Sequence, residues 1–566
     1  MVKEDEPRLL AETLLLGVCG ALSAQLFMWL LHLSEHLFLG WIAGYRPPGL
    51  PDDGGVLRQV IGPHGLWLIP VATTLGGVIS GILVYRLAPE AEGHGTDAAV
   101  AAFHRAGGFL RTRVAPVKMV ASAITIGSGG SAGREGPIAL ISAGLGSLYS
   151  TLVHKSEEQR RLLMLAGMAA GLSAIFRTPM GTGVFAIEVL YGSMEFEVDA
   201  LLYTMLASAV AYAVNGLFVG WQPLFRVIAA PAPQIPDYAA YVALGIAAGV
   251  VGTCLPEVFY RVRDGFRSLP LPPWVKPGIG GLGVGLIALK LPQVLSGGYG
   301  WIQEAIDGRL ALRLLLVLML AKIVAFALTV SSGGSGGVFA PSLFVGAMLG
   351  GAFATVFHQT PAVLVIVGMA AVFGAAARVP IATMLMVTEM AGGYKLLAPA
   401  GLAVMISYLL QVRLSSYVKY QSLYEAQVPR RENSPAHYMD HVRVALGLLG
   451  RRDVALGNSV GHLDLLKLLR SKIRFDLPGG RQLEMGALQS ESRFVGKSIQ
   501  AFYKDLNAYD FEIVAIMRRE HVLLPHPDTL LQEGDRILVI ASASAHAVLT
   551  KDIKPLPSPD LNPRAT

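Results

Sequence analysis

The chain has 566 residues, of which 53% are hydrophobic and only 15% are charged, against roughly a quarter charged in a typical soluble domain. With a mean hydropathy of +0.52, this composition excludes an ordinary soluble protein and points to one embedded in a lipid bilayer. The formal net charge of +6 is small enough to come from loops, and with no interleaving of aromatic and basic residues it gives no reason to expect a nucleic-acid partner.

The first residues, MVKEDEPRLL, lack a basic stretch and a small-residue cleavage site, so the N-terminus is expected to be retained and cytosolic. Apolar runs follow at Leu9–Leu39, Leu66–Tyr85, Leu201–Val219, Tyr238–Cys254, Ala311–Val330 and Leu396–Val412, each near the ~20 residues that cross a bilayer. Ile138–Leu152 and Ile381–Glu389 are shorter or broken by Gly and Pro, and read as partial spans. Cys19 and Cys254 lie far apart in apolar segments and suggest neither a disulfide nor a metal site. Basic residues cluster at His154–Arg161, Tyr260–Arg267 and Gln427–Ser434, which assigns those loops to the inside. Residues 311–410 hold five charged side chains and residues 431–530 hold 26, so the chain changes solvent near residue 430.

Within the apolar part, GHGTD (Gly93–Asp97) precedes a glycine-rich loop, and that loop is part of an internal repeat. VKMVASAITIGSGGSAGREGP (Val117–Pro137) aligns with AKIVAFALTVSSGGSGGVFAP (Ala321–Pro341), placing Lys118 on Lys322, Gly129 on Gly333 and Pro137 on Pro341. A second match sets Ala166–Glu188 on Val367–Glu389, with Arg177 on Arg378, Pro179 on Pro380 and Glu188 on Glu389. Paired halves with matching Gly/Pro-interrupted segments are the pattern of a transporter whose broken helices meet around a substrate. Irregular backbone at membrane depth is tolerated only where protein buries it or it lines a cavity. Each loop runs into a helical stretch whose free N–H groups and positive dipole end favour an anion.

GREGP (Gly133–Pro137), GVFAP (Gly337–Pro341), GHGTD and the paired Gly-Met-Ala-Ala segments together resemble the CLC family of chloride channels and proton-coupled anion exchangers, over about residues 10–430. The resemblance implies an all-α polytopic membrane protein of two repeated, inverted halves with broken helices, spanning about 10–220 and 235–425. It further implies a homodimer in the cell (inner) membrane, with one pathway for chloride or another small anion in each subunit. No cofactor or metal is expected. Glu135 takes the gating position, whose carboxylate competes with the anion; the plainer alternative is that it pairs with Arg134. The resemblance places Gly93, His94, Arg134, Gly136, Val338, Phe339 and Tyr424 at the anion, Val338 and Phe339 through their backbone N–H groups. Tyr417 and Tyr420 compete with Tyr424 for the tyrosine position.

Two departures from the family pattern stand out. GHGTD replaces the usual GSGIP, so His94 stands where a serine hydroxyl is expected and Asp97 where a proline is. The imidazole can donate to an anion or turn away toward Asp97. The position of the exchangers' inward proton glutamate holds Val189, which cannot take a proton. Glu188, beside it, has Glu389 as its repeat partner and reads as a helix-end or pairing residue. Passive, voltage-gated conduction is therefore the expected mode, with anion/proton exchange the alternative.

Beyond residue 430 a helical linker (431–479) is expected, built on HVRVALGLLGRRD and HLDLLKLLRSK, then a cytosolic α+β domain (480–550) and a disordered tail (551–566). VGKSI and the β-rich Phe511–Ser542, broken by HPD and EGD turns, resemble the C-lobe of RCK-type regulatory domains and imply a small-molecule ligand or a dimerising role. GKS at Gly496–Ser498 is not a P-loop, because Glu491 stands where the first glycine is required. GGYG (Gly297–Gly300) lacks the Thr-Val of a potassium filter and resembles a scaffold loop. With no HExxH or GxSxG motif, no enzyme is expected.

Overall fold

A chain that crosses lipid must satisfy its backbone hydrogen bonds within itself, and in the computed structural model of this protein the apolar runs fold as helices. The structure describes residues 6–50, 57–227, 233–431, 434–436 and, with short gaps, 475–555. The expected linker helices at 441–453 and 462–472 lie outside the described residues. The chain divides into two units, Met1–Arg430 and Arg431–Thr566.

The first unit begins with α1 (Glu6–Glu35), which continues as a π-helical segment His36–Ile42, and a short hairpin of β1 (Tyr45–Arg46) with β2 (Val60–Ile61). Helices α2 (Ile69–Leu87), α3 (Thr96–Arg105), α4 (Val114–Gly127), α5 (Glu135–Leu152), α6 (Glu157–Phe176), α7 (Pro179–Glu188) and α8 (Val198–Val219) complete the first half. The second half holds α9 (Tyr238–Ser268), α10 (Lys276–Ala288), α11 (Tyr299–Ile306), α12 (Leu312–Ser331), α13 (Phe339–Phe357), α14 (Pro361–Ala377), α15 (Pro380–Met390) and α16 (Leu397–Leu414). Seven helices among the described residues are long and apolar enough to span a membrane. Others, such as α7 and α15, are too short and begin at the prolines the sequence had marked.

The halves meet by exchanging equivalent contacts. Gly133 N–H donates to Gly337 O and Gly337 N–H to Gly133 O, both at 2.7 Å, in an antiparallel bridge between the two glycine-rich loops. Glu188 accepts from Ile381 N (3.1 Å) and Ala382 N (2.7 Å) at the start of α15, while Glu389 accepts from Met180 N (3.2 Å) and Gly181 N (2.8 Å) at the start of α7. Each carboxylate thus caps orphan N–H groups of the opposite half, where the helix dipole also favours its charge. Such reciprocity is the mark of halves related by a pseudo-two-fold axis. The backbone repeats as well: His154 and His358, and likewise Arg177 and Arg378, share left-handed φ of 52–59° just past helix ends.

The core around this junction is close-packed helix against helix. Gly146 on α5 lies on the backbone of Leu163 of α6, and its repeat partner Gly350 on α13 lies on the backbone of Leu364 of α14, with no room for a Cβ at either. Small residues let helix axes approach this closely in a membrane, where no hydrophobic force drives them together.

The second unit is a sheet in the order β3 (Phe475–Leu477), β4 (Arg481–Leu488), β7 (Arg536–Ser542), β5 (Phe511–Arg518), β6 (His521–Leu523), with β8 (Ile553–Pro555) also on β4, and all of these pairs are antiparallel. Phe494, Ile516, Leu531 and Ile537 form its core together with Ile499 and Phe502 of α17 (Ile499–Asp505). The EGD turn is closed by Asp535 accepting from Gln532 N at 2.8 Å, with Gly534 at φ +79°. Asp535 also grips Arg518 through two hydrogen bonds of 2.9 and 2.8 Å, holding that guanidinium above its ordinary pKa.

Adding a methyl at Gly350 forces α13 off α14. Gly350→Ala is expected to cost about 1–3 kcal/mol, read as a lower apparent Tm of the detergent-solubilised protein.

Candidate functional site

Helices α5 and α13 start on either side of the Gly133–Gly337 bridge, so their free N–H groups converge. Pro137 and Pro341 fall in their first turns, where a missing N–H costs nothing. Between them a narrow cavity is lined by Thr96, Glu135, Gly136, Leu172, Phe185, Val338, Phe339 and Tyr424. Five of the residues singled out in the sequence therefore come together there: Glu135, Gly136, Val338, Phe339 and Tyr424. The Phe339 ring is ordinary core, packed on Phe176 and Phe373 with centroids 4.4 and 4.1 Å away.

Two buried lysines shape the loops that flank this cavity. Lys118 Nζ donates to Ala91 O (3.0 Å) and Gly93 O (2.6 Å), and its repeat partner Lys322 donates to Val294 O (2.9 Å) and Ser296 O (2.7 Å). The correspondence pairs Gly93-His94-Gly95-Thr96-Asp97 with Ser296-Gly297-Gly298-Tyr299-Gly300. GGYG is thus the second-half counterpart of GHGTD. Gly95 and Gly298 take positive φ of 84° and 78°, the turn that starts α3 and α11.

Glu135 is buried at the first position of α5. The Tyr299 hydroxyl donates to its Oε1. Arg134 lies next to both, its Nε 3.9 Å from Glu135 Oε1 and its guanidinium 4.7 Å from the Tyr299 ring centre. Arg134 and Tyr299 open on the other side into a vestibule of about 580 Å³, whose further charged and titratable residues are His32, Glu35, His36, Arg46 and Arg58. Arg134 thus faces the vestibule rather than lining the inner cavity. A Cβ at Gly133 would crowd both the Glu135 carboxylate and Ala340.

Tyr424 also lines the cavity. Of its two competitors, Tyr420 donates to Asp264 Oδ2 at 2.5 Å and Tyr417 is 85% exposed. The Tyr424 hydroxyl interacts with that of Thr96. His94 packs edge-on to Tyr424, ring centres 5.4 Å apart, and to Phe259 at 6.3 Å. Its Nδ1 is buried with no hydrogen-bond partner among the described residues. Gly93 and His94 are not among the residues lining the cavity, although Thr96 is. Asp97 Oδ1 accepts the N–H of Ala426 at 2.8 Å, tying α3 to the segment that bears Tyr424. Val189 is buried at the end of α7, its N–H bonded to Phe185 O at 3.0 Å.

Thr96 and Tyr299 escaped the sequence reading. Tyr299 falls on Thr96 only at an offset of 203, one residue short of the 204 that pairs Lys118 with Lys322, so the repeat as aligned in sequence does not set one on the other.

The model for the voltage gated chloride channel family matches residues 76–411, and that for the TrkA-C domain matches residues 487–554. The chain is 30% identical over 406 residues to the H(+)/Cl(-) exchange transporter ClcA of Salmonella agona (strain SL483), covering 68% of this chain and 85% of that protein. A relative from Ralstonia nicotianae, named as a ClcB-like chloride channel protein, is 29% identical over 407 residues, 70% of this chain and 91% of its own. Among solved structures, a slow cyanobacterial Cl-/H+ antiporter superposes with a TM-score of 0.64 at 22% identity, covering 74% of this chain and 96% of that one. A CLC-type fluoride/proton antiporter gives 0.63 at 23% identity, covering 76% and 99%.

Tyr299→Phe removes the hydroxyl that holds Glu135. A hydrogen bond to a charged group is worth about 1.5–3 kcal/mol, so anion flux into liposomes is expected to rise roughly tenfold or more at fixed pH.

Proposed function

The chain belongs to the voltage-gated chloride channel family and transports anions across a membrane, and we propose that within the family it is a proton-coupled anion exchanger with Glu135 as its gate. The preference for passive conduction, drawn from Val189 alone, is not supported by the relatives: several carry exchanger or antiporter names. One position that cannot take a proton does not exclude coupling, because another group can serve the same path.

The observation that carries the proposal is that the Glu135 carboxylate lines the same cavity as the starts of α5 and α13. A carboxylate and a free anion cannot both occupy a cavity this narrow. Protonation removes the negative charge, so a proton on Glu135 favours an anion in its place, and a departing anion favours the carboxylate. Each turn of that exchange moves both species. Backbone N–H groups and the Tyr424 and Thr96 hydroxyls suit such a site, since neutral donors hold an anion without trapping it. The assembly proposed is a homodimer with one pathway per subunit in the cell inner membrane, and the C-terminal unit is proposed as a cytosolic regulatory module with a small-molecule ligand. Basic residues at Tyr260–Arg267 and Gln427–Ser434 support that sidedness.

Purified protein in liposomes under an outward chloride gradient is expected to take up protons against an opposing proton gradient. Glu135→Gln is expected to abolish proton uptake while anion flux persists with weaker pH dependence. Wild-type chloride flux without proton movement would return the protein to the passive class.

His94 governs selectivity in this proposal through its buried, unpartnered Nδ1 beside Tyr424. His94→Ser, which restores the family hydroxyl, is expected to change the order of preference among chloride, nitrate and fluoride. An unaltered order in competition flux assays assigns the imidazole to packing.

A further inference from the structure

Resting on the exchanger reading, a proton must reach Glu135 from the inner face, and Val189 offers no acid. Glu188, its neighbour, is committed: both its oxygens accept backbone N–H groups of α15, at 3.1 and 2.7 Å. The proton must therefore use another carboxylate near the cavity.

Asp97 is the second residue of α3, next to Thr96 on the cavity wall, and accepts the N–H of Ala426, two residues beyond Tyr424. Thr96 lines the cavity, and Asp97, the next residue, is not fully enclosed. The residue is partly buried, and the charged and titratable groups around it are Arg263 and Tyr260 from α9, Tyr424 and Glu425 from the segment after α16, and His94 and Arg105 from its own stretch of chain. Arg263 binds Glu425 through both nitrogens at 2.5 and 2.8 Å, and their side chains are 16% and 42% exposed. Exposure thus rises in the order Arg263, Glu425, solvent, on the face that also carries Arg261, Arg267 and Lys419 and that the distribution of basic residues assigns to the inside.

We propose that Asp97 is the inward proton acceptor of this chain, replacing the acid absent at Val189. A hydronium ion from the inner solution gives its proton to the Asp97 carboxylate, forming one O–H bond as another breaks. That O–H bond then breaks as the proton passes, across the cavity that Thr96 and Tyr424 line, to the Glu135 carboxylate, and Asp97 returns to its ionised form. No electrons move. The departure from the family pattern at residue 97 and the departure at residue 189 become one change: the acid has moved from the end of α7 to the start of α3.

Asp97 also holds Ala426, so the test must separate proton transfer from positioning. Asn keeps a carbonyl oxygen that accepts from Ala426 N and loses only the titration. In chloride-driven proton uptake by liposomes, Asp97→Asn is expected to lower proton uptake roughly tenfold or more with chloride flux within about threefold of wild type. Asp97→Glu is expected to keep coupling, and Val189→Glu in the Asp97→Asn background to restore it. If wild type couples and Asp97→Asn couples with unchanged stoichiometry, the assignment of Asp97 is overturned while the exchanger reading stands. Should Glu197→Gln abolish uptake in a protein whose Asp97→Asn variant still couples, the buried Glu197, bonded to Tyr191 at 2.6 Å, is the acceptor instead. Should wild type move no protons, both readings fall. Where Asp97→Asn loses chloride flux as well, the pH midpoint of proton uptake in Asp97→Glu decides: a midpoint equal to that of wild type overturns the proposal, and a shifted one supports it.

Discussion

Two hydrogen bonds of 2.7 Å between Gly133 and Gly337 hold the membrane unit to its purpose. They join two irregular loops deep in the protein, where an unpaired backbone group would cost free energy that neither lipid nor water could recover. By joining there, the loops aim the starts of α5 and α13 at one point. Everything else at the site depends on that convergence. The cross-caps from Glu188 and Glu389 fix α7 and α15 by the same exchange between halves, and Lys118 and Lys322 hold the flanking loops through carbonyl oxygens on each side.

The convergence makes an electropositive pocket out of neutral groups, and Glu135 places a negative charge inside it. Its surroundings are asymmetric. On the vestibule side Tyr299 and Arg134 hold the carboxylate; on the other side stand the Tyr424 and Thr96 hydroxyls, the His94 ring and, one step further, Asp97. An ionisable group at membrane depth is expensive and is kept where it acts on an ion or a proton path. In the proposed reading, this asymmetry gives Glu135 an outer latch and an inner route.

Much of this is legible in the sequence. The repeat was visible because reciprocal contacts demand like residues at like positions: Lys118 with Lys322, Glu188 with Glu389, and the glycines where two backbones touch. Glu135, Gly136, Val338 and Phe339 were legible because their motifs sit at helix starts, and Tyr424 because it follows the last membrane helix. Tyr299 was hidden because its contact with Glu135 spans 164 residues, and the loops GHGTD and SGGYG share little beyond a glycine. Asp97 could be seen as an anomaly but not interpreted, since its partner Ala426 lies 329 residues away. The passive mode expected from Val189 is not what the names of the relatives favour: a missing acid at one position is a local fact, while a proton path can be assembled from residues remote in sequence. In the C-terminal unit the strands and the HPD and EGD turns followed from local composition, but the strand order, which places β7 between β4 and β5, arises from long-range pairing.

The central claim is that anion and carboxylate compete for one cavity, so that anion binding and protonation of Glu135 are linked. Calorimetric titration of the detergent-solubilised protein with chloride, in two buffers of different ionisation enthalpy at the same pH, measures the protons exchanged on binding. The account predicts net proton uptake with chloride binding to the wild-type protein and none with Glu135→Gln. Chloride binding to wild type with identical heats in both buffers would contradict it.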